Sequence, residues 1–125
     1  MTEVLEDLKY TSNHDWVEVE DGKVKYGITD FAQDELGDIV YVELPRVDDQ
    51  VSKEDMLGVI ESVKTVTDLY APVSGTITEV NDELEASPEL LNEDPYGEGW
   101  IAVIELSDKK EIENLMNAEE YRDEI

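Results

Sequence analysis

The stretch WVEVEDGKVKYGI, residues 16–28, commits this chain to antiparallel β-structure before anything else is read. Two runs of alternating residues flank Asp21-Gly22, a dipeptide suited to the positive φ angles of a tight hairpin turn. Val17, Val19, Val24 and Tyr26 are the apolar positions. Their period of two puts them on one face of a two-stranded ribbon, which must then be covered by a core.

The elements that follow are equally short. TDFAQDELGD predicts a helix near 31–36, with Asp30 as its cap, Gln33 as capping-box partner and Gly37 as the C-terminal stop. Phe31, Ala32 and Leu36 are its inward candidates. DIVYVELP reads as a strand closed by Pro45, which cannot donate to a ladder. VDDQVSKEDM is polar and turn-rich. LGVIES, TVTDLYAPV, SGTITEV and WIAVIEL read as strands. SPELLNEDP predicts a short helix with Ser87 at the cap and Pro88 at the first helical position, and PYGEGW a turn. After Ser107, the residues Ile112, Leu115 and Met116 stand at helical spacing, and Asn117 divides the tail into two short helices.

Seven or eight short strands with three or four short helices, brief connections and no βαβ rhythm predict a mainly β fold. The expected form is a β-sandwich or partly open barrel with helical decoration and a C-terminal helical segment. At 125 residues the chain suits one domain, 1–125, burying roughly two-thirds of its unfolded surface. Gly58 and Gly75 are expected to serve backbone geometry, and Trp16 and Trp100 the core.

Composition narrows the chemistry. There is no cysteine and one histidine, His14, so a thiol nucleophile, a thiolate metal site and a histidine-based triad are not expected. Next to Trp16, His14 reads as a packed or surface residue, not a base. No catalytic residue and no metal ligand is assigned. Redox or group-transfer chemistry would have to be done by an attached group.

Nine basic residues against thirty-four acidic ones give a net charge of −25. Such a surface repels nucleic acid and anionic membranes. The acids run from Glu3 and Asp7 to Asp123 and Glu124, so a surface adapted to concentrated salt is favoured over a local patch for a basic partner. With no basic leader and no long apolar run, the expectation is a monomeric protein of a halophile's cytoplasm.

One of the nine cations, Lys64, stands in ESVKTVTDLYAPVSG, where two strand-like runs meet. Lysines are nearly always exposed, and a solvated residue is the bland reading. Yet β-branched Val63 disfavours positive φ, so no common two-residue hairpin turn is encoded here. A lysine on a tight exposed bend presents a primary amine on a four-carbon stem where an enzyme can acylate it.

Around this lysine the sequence resembles the H-protein family of the glycine cleavage system, along almost its whole length. NHDWVEVE, GITDFAQDELGDIVYVELP, GVIESVKTVTDLYAPVSGTITEVN, SPELLNEDPYGEGW and AEEYRDEI carry the resemblance. The motif at Lys64 alone leaves other lipoyl or biotinyl carriers open; GITDFAQDELGDIVYVELP and NEDPYGEGW single out the H-protein type. The resemblance implies a barrel-sandwich hybrid of the lipoyl- and biotinyl-carrier kind, with lipoate in amide linkage on Lys64. The missing cysteines then make sense, because the cofactor brings both sulfurs.

The resemblance further implies a shuttle, not an enzyme. It would take an aminomethyl group from a pyridoxal-phosphate glycine decarboxylase to an aminomethyltransferase that uses tetrahydrofolate. Dihydrolipoamide dehydrogenase would reoxidise it, and a lipoate-attaching enzyme would load it. A tethered arm makes each transfer local. Glu61 would aid recognition by the attaching enzyme. Asn13, Asp15, Glu35 and Asp68 would lie at a cleft for the loaded arm, a carboxylate there pairing with its amine. Asp15 stands where the family commonly has Glu, so it reaches less far, and Asn13 and Glu35 also depart from common choices. The competing readings are a solvated strand residue for Glu61 and ordinary acids for the others. For the whole chain they are a lipoyl relay to 2-oxoacid dehydrogenases and an unmodified acidic interaction module, which the intact ESVKT opposes.

Overall fold

The computed structural model describes residues 3–125. A two-residue strand, β1 (Lys9–Tyr10), leads into β2 (Asp15–Glu20) and β3 (Lys23–Ile28). The last two form the expected hairpin. Asp21 and Gly22 have φ angles of 49° and 78°, and Glu20 pairs with Lys23 across a two-residue loop. Val17, Val24 and Tyr26 are fully buried, but Val19 is 43% exposed. It pairs with Val24 near the turn but lies outside the core cluster that holds Val24.

Helix α1 (Asp30–Leu36) follows and stops at Gly37. Its cap is Thr29, one residue before the expected Asp30. Thr29 is extended, and its hydroxyl accepts the Ala32 N–H at 3.2 Å. Asp30 sits in the first turn, where a negative charge suits the helix end, and accepts from the Gln33 amide at 2.8 Å. Ala32 and Leu36 pack on the core without being fully buried.

The remaining strands are β4 (Ile39–Glu43), β5 (Gln50–Val51), β6 (Met56–Ser62), β7 (Val66–Tyr70), β8 (Gly75–Val80) and β9 (Ala102–Leu106). The short helices α2 (Glu83–Ala86) and α3 (Leu90–Glu93) lie between β8 and β9. A 3-10 helix at Lys109–Asn114 and α4 (Ala118–Glu124) complete the chain. Asn117 does divide the tail, as the N-cap of a capping box with Glu120.

Three short elements went unforeseen: β1, β5 in the polar stretch, and α2, which buries Leu84. Pro88 and Ser87 also act differently from the expectation. Ser87 offers its backbone carbonyl to Leu90 N–H at 3.1 Å, and the helical residues begin only at Leu90.

The strands form two open antiparallel sheets, ordered β1-β2-β3-β9-β8-β5 and β4-β6-β7. Ile39, Val42, Ile60 and Leu69 of the smaller sheet meet Val17, Val24, Tyr26, Ile77 and Ile104 of the larger one in a shared core. This is the expected mainly β sandwich, neither sheet closing into a barrel.

A second cluster joins Leu8, Tyr10, Trp16, Ala118 and Tyr121. Tyr10 and Tyr121 stack with centroids 4.5 Å apart. Trp100 lies on this cluster's margin, only part-buried, with Lys25 Nζ 5.4 Å from its ring centroid. The expectation of a core tryptophan holds for Trp16 alone.

Candidate functional site

Strands β6 and β7 are joined through Val63, Lys64 and Thr65, with neither glycine nor asparagine to shape the bend. Ser62 supplies the missing turn chemistry. Its Oγ accepts the N–H groups of Lys64 and Thr65 at 3.2 and 3.1 Å and donates to the Thr65 carbonyl at 3.3 Å. The Ser62 N–H donates to that same carbonyl at 2.8 Å, and Val63 N–H donates to the Asp38 carbonyl at 3.0 Å. A short side chain that bonds its own backbone replaces a special turn residue. Lys64 is exposed on this bend. Its stem runs along the end of α1: a Cβ added at Gly37 would lie 3.1 Å from Lys64 Cε. Ser62→Ala is expected to cost about 1 kcal/mol. Amide exchange should rise at Lys64 and Thr65 in particular, and unchanged exchange there would mean that the strands alone hold the bend.

Glu61 is exposed on the outer face of the smaller sheet, between Tyr41 of β4 and Val66 of β7. It is not part of the cavity described next.

Beside α1 lies a groove of about 470 Å³. Phe31, Ala32, Glu35 and Leu36 of α1 form one wall, and Thr67, Asp68, Leu69 and Tyr70 of the edge strand β7 the other. Asn13, His14 and Asp15 close one side, and Ile28 and Ile60 contribute apolar lining. The structure thus brings Asn13, Asp15, Glu35 and Asp68 to one cavity. The sequence pointed to no lining role for Phe31, Thr67 or Tyr70, and His14 read as a packed or surface residue. The one available signal was that His14 is the sole histidine in the chain.

Asp15 is the unusual member, at 4% exposed. Thr11 Oγ1 donates to its Oδ2 at 3.3 Å and accepts its backbone N–H at 3.2 Å. Burial pushes the carboxyl up to about 8; the bond from Thr11 opposes that rise and the charge of Glu54 adds to it. Nearby, the Tyr26 hydroxyl is buried without a partner among the described residues. Burial, and then the charge of Asp15, raise its pKa well above the ordinary value. Asp68 accepts from the Tyr70 hydroxyl at 3.4 Å, and the Asn13 amide donates to Glu54 at 3.3 Å. The groove therefore has an apolar lining, three carboxyls and a single imidazole, which suits a slender apolar chain ending in a cation.

Comparison with known proteins decides the family. A family model described as glycine cleavage H-protein matches residues 8–125. The chain belongs to the glycine cleavage H-protein family. Glycine cleavage system H proteins are 59% identical in Oceanobacillus iheyensis (93% of this chain, 92% of that one) and 60% in Coprothermobacter proteolyticus (95% and 94%). The H protein of Halalkalibacterium halodurans is 54% identical over 100% of this chain and 98% of its own. The crystal structure of a glycine cleavage system H protein from Mycobacterium marinum superposes with a TM-score of 0.87 at 38% identity, covering 96% of this chain and 97% of that one. Among the described residues no three His, Cys, Asp or Glu side chains are grouped as a metal site, and no helix is long and apolar enough to cross a membrane.

Proposed function

We propose that this chain is the lipoyl-bearing shuttle of the glycine cleavage system, with lipoate on Lys64. The observation that carries the reading is the pairing of an exposed lysine on a braced bend with a carboxyl-lined groove beside the helix its stem touches. The lipoyl dithiolane, when attached, supplies the sulfur that carries the aminomethyl group; the chain's own residues do the rest. Ser62 and Asp38 hold the attachment point still, and Glu61 serves the lipoate-attaching enzyme. Phe31, Leu36, Ile60 and Leu69 shield the arm from water. Asp15 and Asp68 face its protonated amine, with Asn13 and Glu35 at the same cavity. Charge-assisted pairing of this kind favours the loaded arm over the empty one.

The partners are then glycine decarboxylase, aminomethyltransferase and dihydrolipoamide dehydrogenase, and the chain is a non-catalytic carrier among them, monomeric and cytoplasmic. Intact and peptide mass spectrometry of protein from its native host tests this. One lipoyl group on the Lys64 peptide is expected, and its loss in Lys64→Arg with the fold intact. A biotinyl group there would move the protein to carboxylase chemistry. An unmodified lysine, in a cell that lipoylates other proteins, would end the proposal.

The net charge of −25 supports a host whose cytoplasm is rich in salt. Self-repulsion on this scale is screened by ions, so the melting temperature should climb from dilute buffer to molar salt. A flat profile would remove the halophile reading and leave the shuttle untouched.

A further inference from the structure

The only histidine in the chain lines the groove, and one of its ring nitrogens is already engaged. His14 Nδ1 lies 3.0 Å from the Tyr121 hydroxyl, which lies 2.7 Å from Thr29 Oγ1. Thr29 and Tyr121 are both fully buried. Thr29 Oγ1 also accepts the Ala32 N–H, as the cap of α1. The distances alone leave the donor open at both contacts; the need of each buried hydroxyl proton for an acceptor gives the direction. The Thr29 hydroxyl is closed to water and has no other acceptor among the described residues, so it donates to Tyr121. The Tyr121 proton is then directed to His14 Nδ1, which must be a bare acceptor.

We infer that this one-way chain, Thr29 to Tyr121 to His14, holds the imidazole neutral with its proton on Nε2, and that Tyr121 of the C-terminal helix is thereby a positioning residue for the groove. Protonating Nδ1 would turn the Tyr121 proton back onto Thr29 and leave the buried Thr29 proton without an acceptor, a cost that disfavours the cation. The groups facing the ring are Glu35 and Phe31 from α1 and Tyr121 and Glu124 from α4. Burial lowers the His14 pKa, while Glu124 and Glu35 oppose that. The functional consequence rests on the shuttle reading. A neutral histidine adds an N–H donor to the groove without adding a positive charge, so a docked ammonium group meets no competitor.

Nitrogen NMR of the imidazole in the unmodified protein tests the inference, and a sole histidine leaves no ambiguity of assignment. The expected spectrum has Nδ1 bare and Nε2 protonated, with a titration midpoint below the ordinary 6.5. An Nδ1-protonated ring, a tautomer mixture or an ordinary midpoint would overturn the proposal. Tyr121→Phe keeps the stacking ring and should mix the tautomers and raise the midpoint by about one pH unit. Thr29→Ser keeps the hydroxyl and should leave the spectrum as in the parent. If Tyr121→Phe does not fold, the parent spectrum still decides. This result does not depend on whether Lys64 is lipoylated, so the two proposals fail separately.

Discussion

Gly58→Ala is expected to destabilise the protein by about 3 kcal/mol or more, enough to remove a large part of the stability of a domain this size. Gly58 lies in β6 beside β4, and a Cβ there would sit 1.9 Å from the carbonyl oxygen of Glu43. That oxygen is backbone, so relief requires the two strands to separate. The register already shifts between Met56 and Gly58, which marks this as a place where the sheet bends around its neighbour. The strand that would be displaced carries Ile60 of the core, Ser62 of the bend and the path to Lys64. Thermal unfolding provides the check. A melting temperature equal to the parent's would mean that the β4–β6 spacing gives way easily.

Asp15→Asn should act in the opposite direction, raising stability at pH 8 by a few kcal/mol. The folded-state carboxyl is pushed up to about 8 by burial, against an ordinary 3.8. Below about pH 4 it is protonated in both folded and unfolded chains, and burial carries no ionisation penalty. As pH rises from there to about 8, the unfolded chain releases the proton and the folded one retains it, so stability falls by about 1.4 kcal/mol per unit. Above 8 the loss levels off. Asparagine has no such proton, so the difference between the two proteins should vanish near pH 4 and be full at pH 8. Equal melting at pH 8 would mean that water reaches the carboxyl. On the shuttle reading the same substitution removes the carboxyl whose ionised form pairs with the arm's amine, an ionisation that the docked cation itself favours. Stability rises while protection of the loaded arm falls, a trade common at functional sites.

Much of this was legible in local sequence, and the boundary is physical. The Asp21-Gly22 hairpin and the division of the tail at Asn117 depend on neighbours one to four residues away, and both formed as read. The α1 cap moved from Asp30 to Thr29 because both residues can cap, and only the backbone at Thr29 is extended. Val19 alternates correctly but lies beyond the edge of the core, and Trp100 lies at the margin of a cluster that includes Tyr121. No pattern along the chain carries that information. The groove is the extreme case, drawing on residues 13–15, on α1 and on β7. Resemblance to a family gathered four of its members; periodicity could not. The role of Ser62 was available, since a serine immediately before an unexplained bend is a known substitute for a turn residue.

The contact between Lys64 and Gly37 bears on how cargo would leave. Gly37 has no side chain, and the lysine stem passes beside the space this leaves at the end of α1, with Cε 3.1 Å from where a Cβ would stand. On the shuttle reading, a stem that rests there gives up part of its rotational freedom beforehand, so a group at its tip would lose less on settling into the groove. The same seating works against any enzyme that draws the arm outward. On that reading a partner would first have to lift the stem from the helix end, and its own contacts would supply that work. On the shuttle reading, undocking is then the step each partner has to drive, and a loaded arm that meets no partner stays where it is.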